Sequence, residues 1–433
     1  MNVEESRDGS MLDRFMSFAA RVQPREKRHV GLGIVLLFCV FAGYGAVKPV
    51  RDTIGTVIGT EATQDLWWFT ALFGILAVPS YGWLVATVRR AVLLPAIYGF
   101  MAVGFTLCAW GFWMYPKDPV LSRVFYVYIS VMNLMTISIF WSFLLEVFDS
   151  AQTKRLFAVI AVGGTAGAFF GPLITRGVVA AIGNHGVLLV GAGFYVAALF
   201  LQRLIILAPR SSDSAPAALA EQQRPIGGNP FAGFMLVMRS PYLRGIMLFI
   251  VGISAINTFL YFEAIDMVAK RFNEITRRTE VFANLDAIIQ GLTALTQLFL
   301  TGRIATRFGL TLLLVAVPFI MVLGLTWFAF SGTFMVLAIA LIVRRWGEYA
   351  FIRPGREMLF SRVDKESKYK AKNLCDVAVY RSADVVFAQI KQLFDRIGVS
   401  GMKETMIVAG VSFAWGLNGW WLARRHEKEA PKP

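Results

Sequence analysis

Long apolar segments alternate with short polar loops along nearly the whole chain. A transmembrane helix needs roughly 17 to 25 mostly apolar residues to cross the hydrocarbon core of a bilayer. Twelve segments reach this length, so the pattern predicts an all-α membrane protein with twelve transmembrane helices. The predicted spans are about Val30–Val47, Leu66–Val88, Ala91–Tyr115, Leu121–Phe148, Leu156–Ile182, Val187–Leu207, Leu243–Val268, Val281–Thr301, Leu310–Phe330, Phe334–Phe360, Asn373–Phe394 and Met406–Leu422.

Lysine and arginine residues are concentrated in the loops on one side of these spans and at both ends of the chain. Cytoplasmic loops of membrane proteins carry such an excess, so both termini are predicted to be cytoplasmic. Segment 209–240 is rich in Ser, Ala, Pro and Gln, which is typical of a flexible linker. The predicted organisation is a cytoplasmic arm (1–29), a six-helix bundle (30–208), a cytoplasmic linker (209–240), a second six-helix bundle (241–423) and a cytoplasmic tail (424–433).

The composition agrees with a membrane protein and excludes several other classes. Only 16% of the residues are charged and 56% are apolar, whereas a soluble domain has about 25% charged residues. The net charge of +15 does not indicate a nucleic-acid partner, because the basic residues lie in short loops between spans. Three cysteines and three histidines are scattered, and no phosphate-binding loop motif occurs. We therefore expect no metal, no cofactor and no catalytic set of an enzyme.

The two halves of the chain resemble each other at matching places. The turn Gly82–Arg90 follows the second predicted span, and the similar Gly302–Gly309 follows the eighth. Likewise Phe140–Phe148 ends the fourth span and Phe351–Phe360 ends the tenth. Two six-helix halves joined by a long cytoplasmic linker are the layout of the major facilitator fold, in which parallel repeats enclose a site near the membrane midplane.

Several charges fall within the predicted tenth and eleventh spans, where each costs roughly 2.5–3.5 kcal/mol to insert. Arg344 and Arg345 lie near the middle of the tenth span, and Arg381 lies at a similar depth in the eleventh. Adjacent residues point about 100° apart on a helix, so Arg344 and Arg345 cannot both line one narrow face. Glu348 can neutralise either arginine, and Asp384 follows Arg381 by one turn. Two interpretations stay open, namely a salt-bridge network that holds helices together and a basic site for an anionic substrate.

Charges of opposite sign lie at matching depths of the first and seventh spans. Lys48, Arg51 and Asp52 end the first span, and Glu263 and Asp266 lie in the seventh. An ion pair between Lys48 and Glu263 would close an outer gate when the two halves meet. The alternative is that each side chain only extends to the membrane interface.

Glycines follow one face of the predicted fifth span, at Gly163, Gly164, Gly167 and Gly171, with Pro172 after them. Small residues allow helices to pack closely in membranes, which is the simpler interpretation. A pliable gate helix is the functional interpretation, and the two are compatible.

Three segments carry a family resemblance. They are KPVRDT at Lys48–Thr53 followed by GTE at 59–61, FWSF at Phe140–Phe143 with Glu146 and KRLF at 154–157, and KAK at 370–372 with Asp376 and Arg381. They resemble segments of the ATP/ADP translocases of obligate intracellular bacteria and plastids, and of their wider bacterial relatives. The resemblance touches both halves of the chain, and its middle segment is the most specific.

The resemblance implies a twelve-helix carrier that exchanges nucleotides by alternating access, with Arg51, Glu146 and Arg381 as functional residues. The chain departs from that family at two places. Asp384 stands where the family has a lysine, and Glu263 matches the acidic motif of the seventh helix only loosely. Because burial disfavours the ionised form of a carboxylate, these departures favour an alternative, a proton-coupled carrier for another small solute that uses Asp384 or Glu263.

We therefore predict a secondary transporter of the bacterial inner membrane that moves an organic anion, with ATP/ADP-type nucleotide exchange as the preferred activity. The expected partners are the anionic substrate, protons in the alternative, and the lipid bilayer, and the protein is expected to be a monomer. An integral-membrane enzyme would not need two matched halves, and no short pore-loop segment typical of a channel interrupts the predicted spans. The predicted substrate-binding residues are Lys48, Arg51, Glu146, Arg344, Arg345 and Arg381, and the predicted coupling or gating residues are Glu263, Asp266, Glu348, Asp376 and Asp384.

Overall fold

The computed structural model describes residues 22–88, 90–208, 232–299, 301–363, 371–372 and 374–428. Most of the predicted arm and linker, and Lys370 of the third resemblance segment, lie outside these residues. No strand occurs in the described ranges. The α-helices are α1 (Lys27–Ile58), α2 (Thr60–Thr87), α3 (Arg90–Met114), α4 (Pro119–Val147), α5 (Ser150–Leu207), α6 (Ala232–Arg239), α7 (Pro241–Arg271), α8 (Ile275–Phe299), α9 (Thr301–Ser331), α10 (Phe334–Gly347), α11 (Arg353–Leu359), α12 (Tyr380–Arg396) and α13 (Met402–Lys428).

Two of these helices change direction at a glycine. Gly183 within α5 has φ 66°, and Gly309 within α9 has φ 68°. This left-handed region is open to glycine and costly for residues with a Cβ atom. Gly183 lies between the predicted spans 156–182 and 187–207, so α5 contains two span-length segments. Gly309 likewise lies at a boundary, just before the predicted span 310–330.

Local capping residues determine where several helices begin. Asp118 accepts a hydrogen bond from the backbone N–H of Leu121 at the start of α4. At the start of α5, Asp149 and Gln152 form a reciprocal capping box. Such caps satisfy backbone N–H groups that have no partner within the helix. The start of α5 is thereby a sharp boundary after α4.

Seven of the described helical segments are long and apolar enough to cross a membrane. Their outward faces carry large exposed apolar side chains, for example Phe200 at 69% and Leu323 at 73% relative exposure. Contiguous apolar surface is unfavourable in water, and it matches lipid acyl chains. The protein is therefore a multi-pass membrane protein. The seven segments are Lys27–Ile58, Val92–Met114, Pro119–Val147, Arg155–Leu207, Pro241–Arg271, Gly309–Ser331 and Met402–Lys428.

The chain forms two compact units. Among the described residues, unit 1 contains those up to Val50, Pro79–Leu121 and those from Tyr128 to Ala208. Unit 2 contains Arg51–Val78, Ser122–Val127 and those from Ala232 onward. The bundle boundaries expected from the sequence stay a prediction.

In unit 1, a buried carboxylate connects the start of α1 with the start of α5. Glu26 is 1% exposed. Its carboxylate accepts hydrogen bonds from Arg155 Nη2 at 2.6 Å and from Gln152 Nε2 at 2.9 Å. A buried carboxylate is tolerated when it is paired and hydrogen-bonded in this way. Glu26 therefore fixes the first turn of α1 against α5.

In unit 2, α7 is buried along most of its length and contributes to one large apolar cluster. Buried side chains of α7 such as Phe249 pack with Leu314 of α9, Leu337 of α10 and Trp415 of α13. This packing holds the polar residues of α7, Ser254 among them, at fixed positions inside the unit.

The glycine face of α5 packs directly on the backbone of α1 in unit 1. A Cβ atom added at Gly171 would lie 2.7 Å from the carbonyl oxygen of Ala42 and 2.9 Å from the amide nitrogen of Ala46. One turn further along α5, Thr175 Oγ1 donates a hydrogen bond to the carbonyl oxygen of Ala46 at 2.7 Å. These contacts support the close-packing interpretation of the glycines, and the pliable-gate interpretation stays a prediction.

We expect the substitution Gly171→Ala to destabilise the protein, because the new methyl group meets backbone atoms that cannot move aside. Overpacking of this kind costs about 1–3 kcal/mol. Gly177→Ala is the matched control on the same helix, since no atom lies within 4 Å of its added Cβ. That variant should be neutral or more stable, as alanine is the better helix former. Thermal unfolding of the purified variants in detergent measures both effects, and equal melting temperatures would contradict the close-packing interpretation.

Candidate functional site

Two π-helical turns lie next to charged residues of unit 2 in the sequence. Glu348–Ile352 continues from α10, and Leu374–Val379 leads into α12. A π turn adds a residue to the helical repeat and so rotates the side chains that follow, and such turns are frequent at functional sites. Arg344 and Arg345 lie just before the first turn, and Arg381 lies just after the second. The periodicity of the sequence did not predict either turn.

Arg344 is buried and only partly neutralised. Its Nη2 atom forms a salt bridge with Glu348, and its side chain is 4% exposed. The other carboxylate oxygen of Glu348 lies 3.4 Å from Arg353 Nη2. Arg344 Nη1 is buried and has no hydrogen-bond partner among the described residues. Because an unsatisfied buried donor is costly, this guanidinium retains the capacity to bind an anion.

Arg345 points away from Arg344 and has a different partner. Its Nη1 atom lies 2.6 Å from Asp286 Oδ1 on α8. The Asp286 side chain is 4% exposed, so this pair is largely buried. The divergence of the two adjacent arginines agrees with the 100° step of a helix. Asp286 was not identified from the sequence, where it is one acidic residue within an amphipathic segment.

Arg381 and Asp384 lie one turn apart at the start of α12. Asp384 is 8% exposed and accepts a hydrogen bond from Ser254 Oγ of α7 at 2.5 Å. It also interacts electrostatically with Arg381, Arg344 and Glu348. Arg381 itself is half-buried, and it has no hydrogen bond or ion pair with any residue in the described ranges. Its guanidinium fork is therefore uncommitted.

The charges of this cluster are nearly balanced in number. The buried or half-buried guanidinium groups of Arg344, Arg345 and Arg381 are opposed by the carboxylates of Glu348, Asp286 and Asp384. Arg353 adds a fourth guanidinium, but its side chain is 55% exposed, so water stabilises most of its charge. The capacity to bind an anion therefore rests on the open donors of Arg344 and Arg381 among the described residues.

A second charged cluster lies two turns further along α12. Lys391 Nζ contacts Glu404 at 2.9 Å, Glu263 at 3.0 Å and Asp395 at 3.2 Å. Only Glu263 of these four residues was identified from the sequence. The available signal was the spacing of Asp384 and Lys391, which puts both on one face of a helix.

A network of aromatic and charged side chains surrounds Arg51 within unit 2. Asp52 accepts hydrogen bonds from Arg51 Nη2 at 2.6 Å and from the Tyr261 hydroxyl at 3.4 Å. The hydroxyls of Tyr261 and Tyr126 are 2.7 Å apart, and Trp67 Nε1 donates to Tyr126 at 3.0 Å. The network joins the end of α1 to α2, α4 and α7 and partly neutralises Arg51.

The other predicted site residues lie in different surroundings. Lys48 and Glu146 belong to unit 1, and both are half-buried. Asp266 is 40% exposed and pairs with Lys270 on the same helix at 2.6 Å. Asp376 lies in the second π turn, 3.3 Å from Arg356 Nη2 of α11. The described part of the chain contains no group of His, Cys, Asp or Glu side chains arranged to hold a metal ion.

Solved structures of membrane transporters share this fold. The chain superposes on the nucleoside transporter NupG with a TM-score of 0.58 at 15% identity, covering 92% of this chain and 99% of that one. The D-xylose–proton symporter gives 0.62 at 16% identity, with 94% and 98% covered. A POT family transporter in complex with a thioalcohol-conjugated peptide gives 0.64 at 14% identity, with 94% and 99% covered. Such low identities show the fold alone. No curated protein sequence matches this chain.

The sequence model of one family matches most of the chain. It is described as Major Facilitator Superfamily and aligns with residues 33–353. Together with the helical fold, this match confirms the prediction of an all-α major facilitator membrane protein. The family consists of transporters rather than enzymes. The chain belongs to the Major Facilitator Superfamily.

Proposed function

We propose that the protein is a secondary transporter that moves an organic anion by alternating access, and that this anion is a nucleotide of the ATP/ADP type. Membrane transport in general follows from the family to which the chain belongs. The choice of an anion rests on the charged cluster of α10–α12, and the choice of a nucleotide rests on the resemblance of three sequence segments to ATP/ADP translocases.

The observation that carries the proposal is the uncommitted guanidinium of Arg381. Tolerated intramembrane charges usually face a cavity or have a partner, and Arg381 has no hydrogen-bonding partner in the described ranges. A guanidinium presents paired N–H donors that fit a phosphate or carboxylate in a bidentate manner. Arg344 Nη1 offers a second donor nearby, since both arginines act on Asp384. A bound anion would satisfy both groups.

The remaining predictions complete this proposal. Arg51 and Glu146 belong to segments that resemble the translocases, and Lys48 and Arg345 are further basic residues that we propose for substrate binding, although Arg345 is paired with Asp286. We propose that the protein is monomeric in the bacterial inner membrane with both termini cytoplasmic, and that two six-helix bundles (30–208 and 241–423) rock about the site. Pairing of Lys48 with Glu263 at an outer gate belongs to the same proposal, although Glu263 also contacts Lys391.

The first test is counterflow in proteoliposomes that are preloaded with unlabelled ATP and ADP, with labelled nucleotide added outside. We expect saturable entry that requires internal nucleotide. Removing a charged hydrogen-bond partner costs about 1.5–3 kcal/mol, so Arg381→Ala should weaken the apparent affinity about 10- to 100-fold.

The matched control is Arg396→Ala on the same helix. This arginine is 65% exposed and pairs only weakly with the exposed Glu61. Its variant should transport like the wild type. Equal losses in Arg381→Ala and Arg396→Ala would show that Arg381 has no special role, and absence of entry in the folded wild-type carrier would reject nucleotide exchange.

Asp384 favours a second candidate, a proton-coupled carrier for another small solute. Its carboxylate is buried, and it interacts electrostatically with Arg381, the group proposed to bind substrate. Protonation of Asp384 would remove its electrostatic attraction for Arg381 and so change the affinity of the guanidinium for the substrate. In this way a proton and a substrate could be coupled through one arginine.

The second candidate predicts accumulation driven by an inward proton gradient without internal substrate. Asp384→Asn removes the titratable group with little change of shape and should abolish the dependence of uptake on the gradient. Asp118→Asn is the control, because asparagine caps a helix about as well as aspartate. Solute uptake assayed with and without the gradient distinguishes the candidates, and unaltered gradient dependence in Asp384→Asn would exclude Asp384 as the coupling group.

A further inference from the structure

The Lys391 cluster brings three carboxylates to one ammonium group. Glu263 belongs to α7, Glu404 to α13, and Asp395 to α12 itself. Because Glu263 and Glu404 contact the Lys391 Nζ atom at 3.0 Å and 2.9 Å, their contacting oxygens lie within about 6 Å of each other. Three helices of unit 2 therefore meet at one amine.

The burial of these groups differs strongly. The side chains of Lys391 and Glu404 are 9% and 2% exposed, and Glu263 is 18% exposed. Asp395 is 43% exposed, so water stabilises its negative charge without help from the lysine. Lys391 can thus neutralise one of the two more buried carboxylates, and the other is in excess.

Among the described residues, no second cation contacts Glu263 or Glu404. The ring of Phe259 on α7 lies 6.0 Å from Lys391 Nζ. Glu61 and Asp65 of α2 accept hydrogen bonds from Gln392, and they add negative charge on that side. The nearby Arg396 is exposed and pairs with Glu61. Among the described residues that face the cluster, negative charge therefore exceeds positive charge.

We propose that the Glu263–Glu404 pair holds one proton, which makes the Lys391 cluster a proton-binding site of this carrier. Two neighbouring carboxylates in a poorly solvated place cannot both stay ionised with a single counter-charge. One proton removes the repulsion between the two carboxylates, and Lys391 neutralises the charge that remains.

The position of the cluster suggests how it acts. Lys391 lies seven residues after Asp384 on α12, which is two turns, or about 10 Å, along the same face. Ser254 and Glu263 of α7 contact these two residues, so α7 and α12 are joined at two polar points. Loss of this proton would change the contacts of α12 with α7 and α13. A coupling of this event to substrate movement rests on the proposed transport function.

The proton itself is tested on the purified full-length protein without substrate, by infrared spectroscopy of protonated carboxyl groups at neutral pH. All samples carry Asp384→Asn, so that this carboxyl does not contribute. We expect a protonated-carboxyl band that is lost in Glu404→Gln and in Glu263→Gln, because one carboxylate then suffices for Lys391. Asp395→Asn, which touches the same amine from the exposed side, should keep the band.

Two outcomes would overturn the proposal, namely a band that is absent before substitution and a band that persists in both glutamine variants. Lys391→Gln gives an independent measurement in case a glutamine variant does not fold. Without the ammonium group both buried carboxylates need a proton, so the band should grow. An unchanged or smaller band in folded Lys391→Gln would also contradict the proposed proton.

Coupling is tested in proteoliposomes with labelled nucleotide as the substrate. The measured quantity is the ratio of accumulation driven by a proton gradient to counterflow. Glu404→Gln should lower this ratio about tenfold relative to the wild type, and a wild-type ratio would exclude a role in coupling. If the wild type transports no anion in either mode, the proposed function fails. The infrared result on the proton is unaffected by that outcome, so the two failures are distinguishable.

Discussion

The cost of keeping charge away from water is the constraint on which unit 2 depends. A buried ion is tolerated only when another group pairs with it and satisfies its hydrogen bonds. Arg344 uses the next turn of its own chain for this, whereas Arg345 uses Asp286 of α8. The carboxylate of Asp384 uses Ser254 of α7. Apolar packing brings α7 to α13 together, and each of these buried charges pairs with a polar group that the packing places within its reach.

Two π turns interrupt the helices that carry these charged residues and change the directions of the side chains that follow. A regular helix repeats its side-chain directions every 3.6 residues, whereas a π turn rotates the side chains that follow it, which are Arg353 after the first turn and Arg381 after the second. The π turns at Glu348–Ile352 and Leu374–Val379 make this adjustment beside the most charged part of the unit. The glycines at 183 and 309 serve a different purpose, since they let the chain change direction between span-length segments.

The two charged clusters of α12 contain groups that are not fully paired. This distinguishes them from a purely structural network of ion pairs. A fully satisfied set of ion pairs would hold helices together and offer nothing to a ligand. Here the described residues leave donors of Arg344 and Arg381 open, and negative charge is in excess around Lys391. In the proposed function an anion occupies these open donors, and in the further proposal a proton neutralises the excess negative charge of the Lys391 cluster. One amphipathic helix would then carry both sites, and its contacts with α7 would respond to both.

The sequence by itself determined the all-α membrane fold, because apolar length and basic loops report directly on the bilayer. It also determined that Arg344 and Arg345 diverge and that Glu348 can reach one of them, since these facts follow from helical spacing alone. It indicated Glu263 and Asp384 as unusual charges. Only the tertiary structure decided that Arg345 pairs with Asp286 and that Lys391 gathers Glu263 and Glu404. Those partners lie on different helices, so the packing of whole helices selects them, and no local periodicity encodes that choice.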